Sequence, residues 1–93
     1  MARFTTRVEL HYGDEDDYEK LHAAMERESF SRTVVSGDGI TYHLPTAEYN
    51  REGNLTKEQV LESAKRAATK TGRSYAVLVT ESNGRTWHNR EKV

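Results

Sequence analysis

The first residues of the chain alternate between two sets of side chains. In ARFTTRVELHY, residues 2–12, one side of the chain carries Ala2, Phe4, Thr6, Val8 and Leu10. The other side carries Arg3, Thr5, Arg7, Glu9 and His11. Period-two alternation with β-branched residues predicts a strand that is buried on one face only. Such a strand needs a sheet with one covered face and one open face.

An acidic stretch, GDEDDYEK at residues 13–20, follows this strand. Carboxylate clusters bind magnesium in nucleases, but such a site needs ligands that converge from different elements. Consecutive residues at a helix start point in different directions. We therefore interpret Asp14 as the N-cap of a helix, with Asp17 completing a variant of the capping box. A metal site that includes Asp14 is the alternative.

The first helix is amphipathic, because Tyr18, Leu21 and Met25 follow at spacings of three and four. After it, FSRTVVSGDGITYHL predicts two strands joined by a tight turn at Asp38-Gly39, since these residues tolerate positive φ. We expect NREGN, residues 50–54, to be a loop.

The clearest helix is LTKEQVLESAKRAATKTG, residues 55–72, in which Thr56 and Gln59 form a capping box and Gly72 ends the helix. Its expected buried stripe consists of Val60, Ala64, Ala67, Ala68 and Thr71. SYAVLVTE is a strand that is apolar on both faces, and TWHN, residues 86–89, is a candidate short fifth strand.

The element order is therefore β-α-β-β-α-β, with an optional C-terminal strand. This order predicts an α+β chain with the ferredoxin-like fold, as a single domain over residues 1–93. We expect a four-stranded antiparallel sheet with both helices on one face. A swapped arrangement of the same elements between two chains is the alternative.

The core is small, because only 34% of the residues are hydrophobic. Burial in a homodimer is one remedy, and Trp87 is the expected dimer contact; packing of Trp87 on its own sheet is the alternative. The chain has no cysteine, which excludes disulfides and thiolate metal sites. Its start lacks the apolar run of a signal peptide or membrane span, so we expect a cytoplasmic protein.

The open face of the sheet is the candidate functional surface. His11 and His43 are expected there on neighbouring strands, and the four histidines lack the spacing of a zinc site. Arg3 and Arg7 lie on one face of the first strand, where successive side chains of the same face lie about 7 Å apart, a spacing close to the phosphate repeat of an extended single strand. The face lacks the aromatic platform of an RNA-recognition motif, so that class is excluded.

The arrangement resembles the GhoS family of type V antitoxins, which are small ferredoxin-like endoribonucleases of bacterial toxin-antitoxin systems. The likeness rests on element order, domain size, FSRTVV after the first helix and GITYHLPTAEY after the turn. The family is in turn similar to small CRISPR-associated nucleases, which carry a metal-binding aspartate where this chain has LHYGD. The resemblance implies an antitoxin that cleaves the single-stranded messenger RNA of a toxin.

Without that aspartate, we expect cleavage that needs neither metal nor cofactor. The ribose 2′-OH would attack in line, helped by a general base and by cations. The candidate catalytic residues are His11, His43 and Arg7, and the candidate RNA-binding residues are Arg3, Arg7 and Arg32. The surroundings of His22 on the first helix are the next choice. The alternative function is a non-catalytic protein-interaction module of phage or mobile-element origin.

Overall fold

The computed structural model describes residues 2–93, which form five strands and two helices. In chain order these are β1 (Ala2–Leu10), α1 (Glu15–Arg27), β2 (Thr33–Val35), β3 (Thr41–His43), β4 (Glu48–Gly53), α2 (Lys57–Thr69) and β5 (Tyr75–Glu81). The predicted α+β class is confirmed. Within residues 2–93, no helix combines the length and the apolar composition that a membrane span requires.

The central strand of the larger sheet is β1, which pairs antiparallel with β4 on one side and β5 on the other. In this register Arg7 lies opposite Glu48 of β4 and Leu78 of β5. The predicted hairpin forms a separate two-stranded sheet of β2 and β3. A single bridge between Ser31 and Asn50 connects the start of the hairpin to β4.

The strands differ from the prediction in three ways. The sequence predicts a loop at NREGN, but residues 50–53 belong to β4 and pair with β1. Asn, Glu and Gly are depleted in strands, so local composition favours a loop, and pairing with the neighbouring strand overrides it. Residues 86–89, the candidate fifth strand, form no strand. The expected four-stranded sheet is replaced by the three-stranded and two-stranded sheets.

Both helices begin at the predicted capping boxes. The carboxylate of Asp14 accepts from the backbone N–H of Asp17 at 2.9 Å, and the Asp17 carboxylate accepts from the N–H of Asp14 at 3.1 Å. Thr56 and Gln59 exchange the same pair of bonds at the start of α2. Each box satisfies N–H groups that a helix start leaves without partners. The acidic stretch therefore caps a helix, as predicted.

The core lies between the covered face of β1 and the two helices. From β1 it receives Phe4, Val8 and Leu10, and from α1 it receives Leu21, Ala24 and Met25. From α2 it receives the predicted stripe of Val60, Ala64, Ala67 and Ala68. Both helices thus pack on the same face of β1, which leaves the opposite face of the sheet uncovered by helices.

Thr6 is a polar member of the covered face of β1. Its side chain is fully buried, and its hydroxyl has no hydrogen-bond partner among the described residues. A buried hydroxyl without a partner costs about 1–3 kcal/mol. We therefore expect Thr6→Val, which keeps the shape and removes the hydroxyl, to raise the free energy of unfolding in urea by about 1 kcal/mol.

Thr5→Val is the matched control, because Thr5 lies on the opposite, open face of the same strand and is only half-buried. Its effect should stay within about 0.5 kcal/mol. A loss of stability in Thr6→Val would show that the hydroxyl forms a bond in solution.

Candidate functional site

The arginines of β1 lie on the open face, as predicted, but each has an acidic neighbour on β4. Arg3 Nε lies 3.9 Å from a carboxylate oxygen of Glu52, and Arg7 Nη1 lies 3.7 Å from one of Glu48. Both pairs are directly opposite in the strand register. Exposed ion pairs of this kind contribute little to stability, at about 0–1 kcal/mol. The two glutamates partly neutralise the positive charge expected from Arg3 and Arg7 on this face.

The prediction that the two candidate histidines lie on neighbouring strands is wrong, because β1 pairs with β4 and β5 and not with β3. His11 follows the end of β1 in an exposed turn, where its N–H donates to the carbonyl of Ser74 at 2.8 Å. His43 ends β3 in the smaller sheet. Among the described residues, the two cavities that His43 lines include neither His11 nor Arg7. The predicted catalytic set is therefore not brought together in one cavity.

The segment after β5, residues 82–93, runs back to the hairpin and contacts both sheets. Arg85 Nη2 donates to Oδ1 of Asn50 in β4 at 2.6 Å. The ring of Trp87 packs edge-on against Tyr42 of β3, with centroids 5.2 Å apart. His43 N donates to the carbonyl of Glu91 at 2.9 Å. Trp87 thus packs within its own chain, and a dimer contact by Trp87 stays a prediction.

A groove follows this segment, and we call it the cationic groove: the surface lined by His43, Arg85, Trp87 and Arg90. These residues line one cavity of about 500 Å³. It shares Arg85 and Trp87 with a cavity of about 610 Å³ that Arg3 also lines. It shares His43 and Arg90 with a third cavity, of about 1010 Å³, that includes Arg32. The groove therefore joins two predicted RNA-binding residues, Arg3 and Arg32, through residues that lie between them.

Positive charge dominates the middle of the groove. The cavity of about 500 Å³ contains Arg85 and Arg90, and its acidic side chain is Glu48, which is paired with Arg7. Burial lowers the pKa of the Arg85 guanidinium, and Glu52 acts in the opposite direction. A guanidinium still remains charged at neutral pH. The Arg85 Nε is buried and has no hydrogen-bond partner among residues 2–93.

The His22 side chain belongs to the core. Its Nδ1 lies 2.7 Å from the hydroxyl oxygen of Tyr49, and the two residues are 6% and 0% exposed. Burial lowers the pKa of His22, and the charge of Arg32 lowers it further. Burial also raises the pKa of the Tyr49 phenol above its usual range. Both groups are therefore neutral at pH 7, and the pair acts as a core hydrogen bond.

The predicted metal alternative finds little support at Asp14. Its carboxylate is engaged as the N-cap of α1. Over residues 2–93, no three His, Asp or Glu side chains come together as a metal site would require.

Arg85 and Arg90 are groove residues that the sequence analysis does not identify. The sequence does contain a pattern that could have identified the two arginines: GRTWHNR, residues 84–90, places basic residues on both sides of a tryptophan. Interleaved basic and aromatic residues are typical of surfaces that bind single-stranded nucleic acid.

The chain matches no model of a known protein family. No curated protein matches its sequence either. The resemblance to the GhoS family thus stays a hypothesis, and the function is inferred from the residues of the groove.

Proposed function

We propose that the protein binds single-stranded RNA in the cationic groove and cleaves it without a metal ion. The observation that carries the proposal is the presence of guanidinium groups, an aromatic ring and an imidazole in one groove. Arg85 and Arg90 supply charge for phosphates, and Trp87 supplies a ring on which a base stacks. His43 supplies a nitrogen that accepts a proton.

Cleavage in this groove would follow the chemistry of RNA itself. His43 removes the proton from a ribose 2′-OH, and the 2′ oxygen attacks the adjacent phosphorus in line. The bond from phosphorus to the 5′ oxygen breaks, the 5′ oxygen takes up a proton from water, and His43 returns its proton to the solvent. Arg85 and Arg90 stabilise the charge that develops on the phosphate oxygens. The products are a 2′,3′-cyclic phosphate and a 5′-hydroxyl end.

The cellular role that we propose is that of a cytoplasmic antitoxin whose substrate is the messenger RNA of a toxin. Its support is the resemblance to the GhoS family. A ferredoxin-like topology agrees with the strand order β4-β1-β5 and with the bridge from Ser31 to Asn50, which puts the start of the hairpin beside β4.

Incubation of purified protein with total RNA, with and without EDTA, tests the enzymatic proposal. We expect discrete fragments with 2′,3′-cyclic phosphate ends in both lanes, because no step uses a metal ion. Fragments only in the lane without EDTA would contradict the metal-independent mechanism and would favour the alternative site at Asp14. Intact RNA in both lanes would contradict cleavage altogether.

A non-catalytic protein-interaction module is the second candidate function. It is favoured by the open face, where Arg3 and Arg7 are paired with glutamates and Leu78 is 63% exposed. A neutralised face with an exposed apolar residue suits a protein partner better than a phosphate backbone. This function predicts intact RNA in both lanes and no shift of a labelled single-stranded RNA in a native gel.

A further inference from the structure

The outer edge of β5 has no neighbouring strand within residues 2–93. Ser82 N donates to Arg3 O, and His11 N donates to Ser74 O, each at 2.8 Å. Hydrogen-bonded pairs alternate along an antiparallel ladder, so the even-numbered residues of β5 bond to β1. The backbone groups that point outward then belong to Tyr75, Val77, Val79 and Glu81.

This edge lacks the devices that usually protect an edge strand, which are short length, lysine, proline, bulges and inward charges. β5 has seven residues, YAVLVTE, and Glu81 at its end is its only charged residue. Leu78, at its centre, is 63% exposed on the open face. The opposite edge is different, because β4 carries Glu48, Arg51 and Glu52 and is bridged to the start of the hairpin.

We propose that β5 pairs antiparallel with β5 of a second copy of the chain, about a two-fold axis at Leu78. In this register Val77 faces the partner's Val79, and Tyr75 faces the partner's Glu81. These are the residues whose N–H and C=O groups point outward, so each facing pair exchanges two hydrogen bonds. The interface is therefore isologous, as expected of a closed dimer.

The side chains are compatible with the same register. Leu78 faces the partner's Leu78 at a non-hydrogen-bonded position, where Cα atoms lie about 4.5 Å apart and side chains approach most closely. The pairing therefore buries the exposed leucine. The two copies of Glu81 lie at opposite ends of the interface, each beside a tyrosine, so like charges do not meet.

Pairing at this edge is independent of the proposed RNA chemistry. The cavity of the cationic groove is formed by the hairpin, Thr5 of β1, Glu48 of β4 and the C-terminal segment, and no residue of β5 lines it. An antiparallel two-fold axis is perpendicular to the sheet, so the dimer is a continuous six-stranded sheet whose two open faces point the same way. Both grooves remain accessible.

Sedimentation velocity at tens of micromolar tests the pairing. We expect a mass twice the 10.7 kDa of one chain. Leu78→Lys places two ammonium groups at the axis and is expected to give monomers. Val35→Lys is the matched control, because Val35 is 66% exposed on the hairpin, away from β5. It should remain a dimer.

A monomeric parent protein, a dimeric Leu78→Lys variant or a monomeric Val35→Lys variant would each overturn the proposal. Loss of the dimer in Trp87→Ala with a dimeric Leu78→Lys variant would instead assign the interface to Trp87. Amide hydrogen exchange gives a test that needs no variant. Exchange at Val77 and Val79 should slow by more than tenfold as the protein concentration rises through the dissociation constant, and unchanged rates would contradict the pairing.

Discussion

His43→Ala is expected to slow RNA cleavage by about 10²–10⁴-fold, since this is the usual contribution of a general base. The side chain of His43 is exposed to the groove, so its removal leaves no cavity in the core. The backbone N–H of His43 bonds to Glu91, and alanine keeps that bond. The measurement is the initial rate of cleavage of a labelled single-stranded RNA. An unchanged melting temperature would show that a lower rate does not come from unfolding.

Two variants outside the cationic groove are the controls for this prediction. His11→Ala removes an exposed imidazole outside the groove, and Arg7→Ala removes a guanidinium that is paired with Glu48. Both should cleave at close to the parent rate. A loss of cleavage rate in His11→Ala, with no loss in His43→Ala, would instead place the site beside β1, at the predicted residues Arg7 and His11. Parent rates in all three variants would contradict both the groove site and the site predicted along β1.

The elements with strong local signals could be predicted from the sequence. Both capping boxes form between the predicted residues, and the buried stripe of α2 is confirmed. The alternation in β1 correctly separates the core residues from the polar ones. In each case the pattern lies within one element and repeats at its own period, so no knowledge of its neighbours is needed.

The strand β4 and its ion pairs could not be predicted in the same way. Tyr49 is the only fully buried side chain of this strand, and a single apolar residue gives no periodic signal. The pairing of Arg7 with Glu48 depends on a register between segments that are 41 positions apart. The sequence shows Arg3 and Arg7 as two positive charges on β1, but the fold pairs each of them with a glutamate of β4.

The cationic groove depends on the path of the last twelve residues. The sequence predicts a short strand there, but the segment lies against β3 and β4, held by Arg85, Trp87 and the backbone of Glu91. This path brings Arg85 and Arg90 close to His43, although more than 40 positions separate them in the chain. The site is thus a product of tertiary packing, while the residue types that it uses are visible in the sequence.

Tyr49→Phe is expected to lower the free energy of unfolding by about 1–3 kcal/mol, although the change removes a single oxygen atom. The lost hydroxyl bonds to Nδ1 of His22, which would stay buried without a partner. The aromatic ring remains, so its edge-on contact with Phe30 is kept and no cavity opens. The loss therefore measures the hydrogen bond, and urea denaturation at pH 8 would detect it.

Urea denaturation is measured at pH 8 because His22 is neutral at that pH in both the folded and the unfolded chain. Burial lowers its pKa in the folded protein below the usual value of 6.5, so the unfolded chain takes up the proton first as the pH falls. The stability that neutral His22 confers is therefore complete above about pH 6.5 and is lost as the pH falls through the folded pKa.

Tyr12→Phe is the control for Tyr49→Phe, because Tyr12 is 95% exposed, and it should change stability by less than about 0.5 kcal/mol. Equal stabilities of the parent and Tyr49→Phe at pH 8 would mean that His22 finds another partner, and the hydrogen bond would then not stabilise the core.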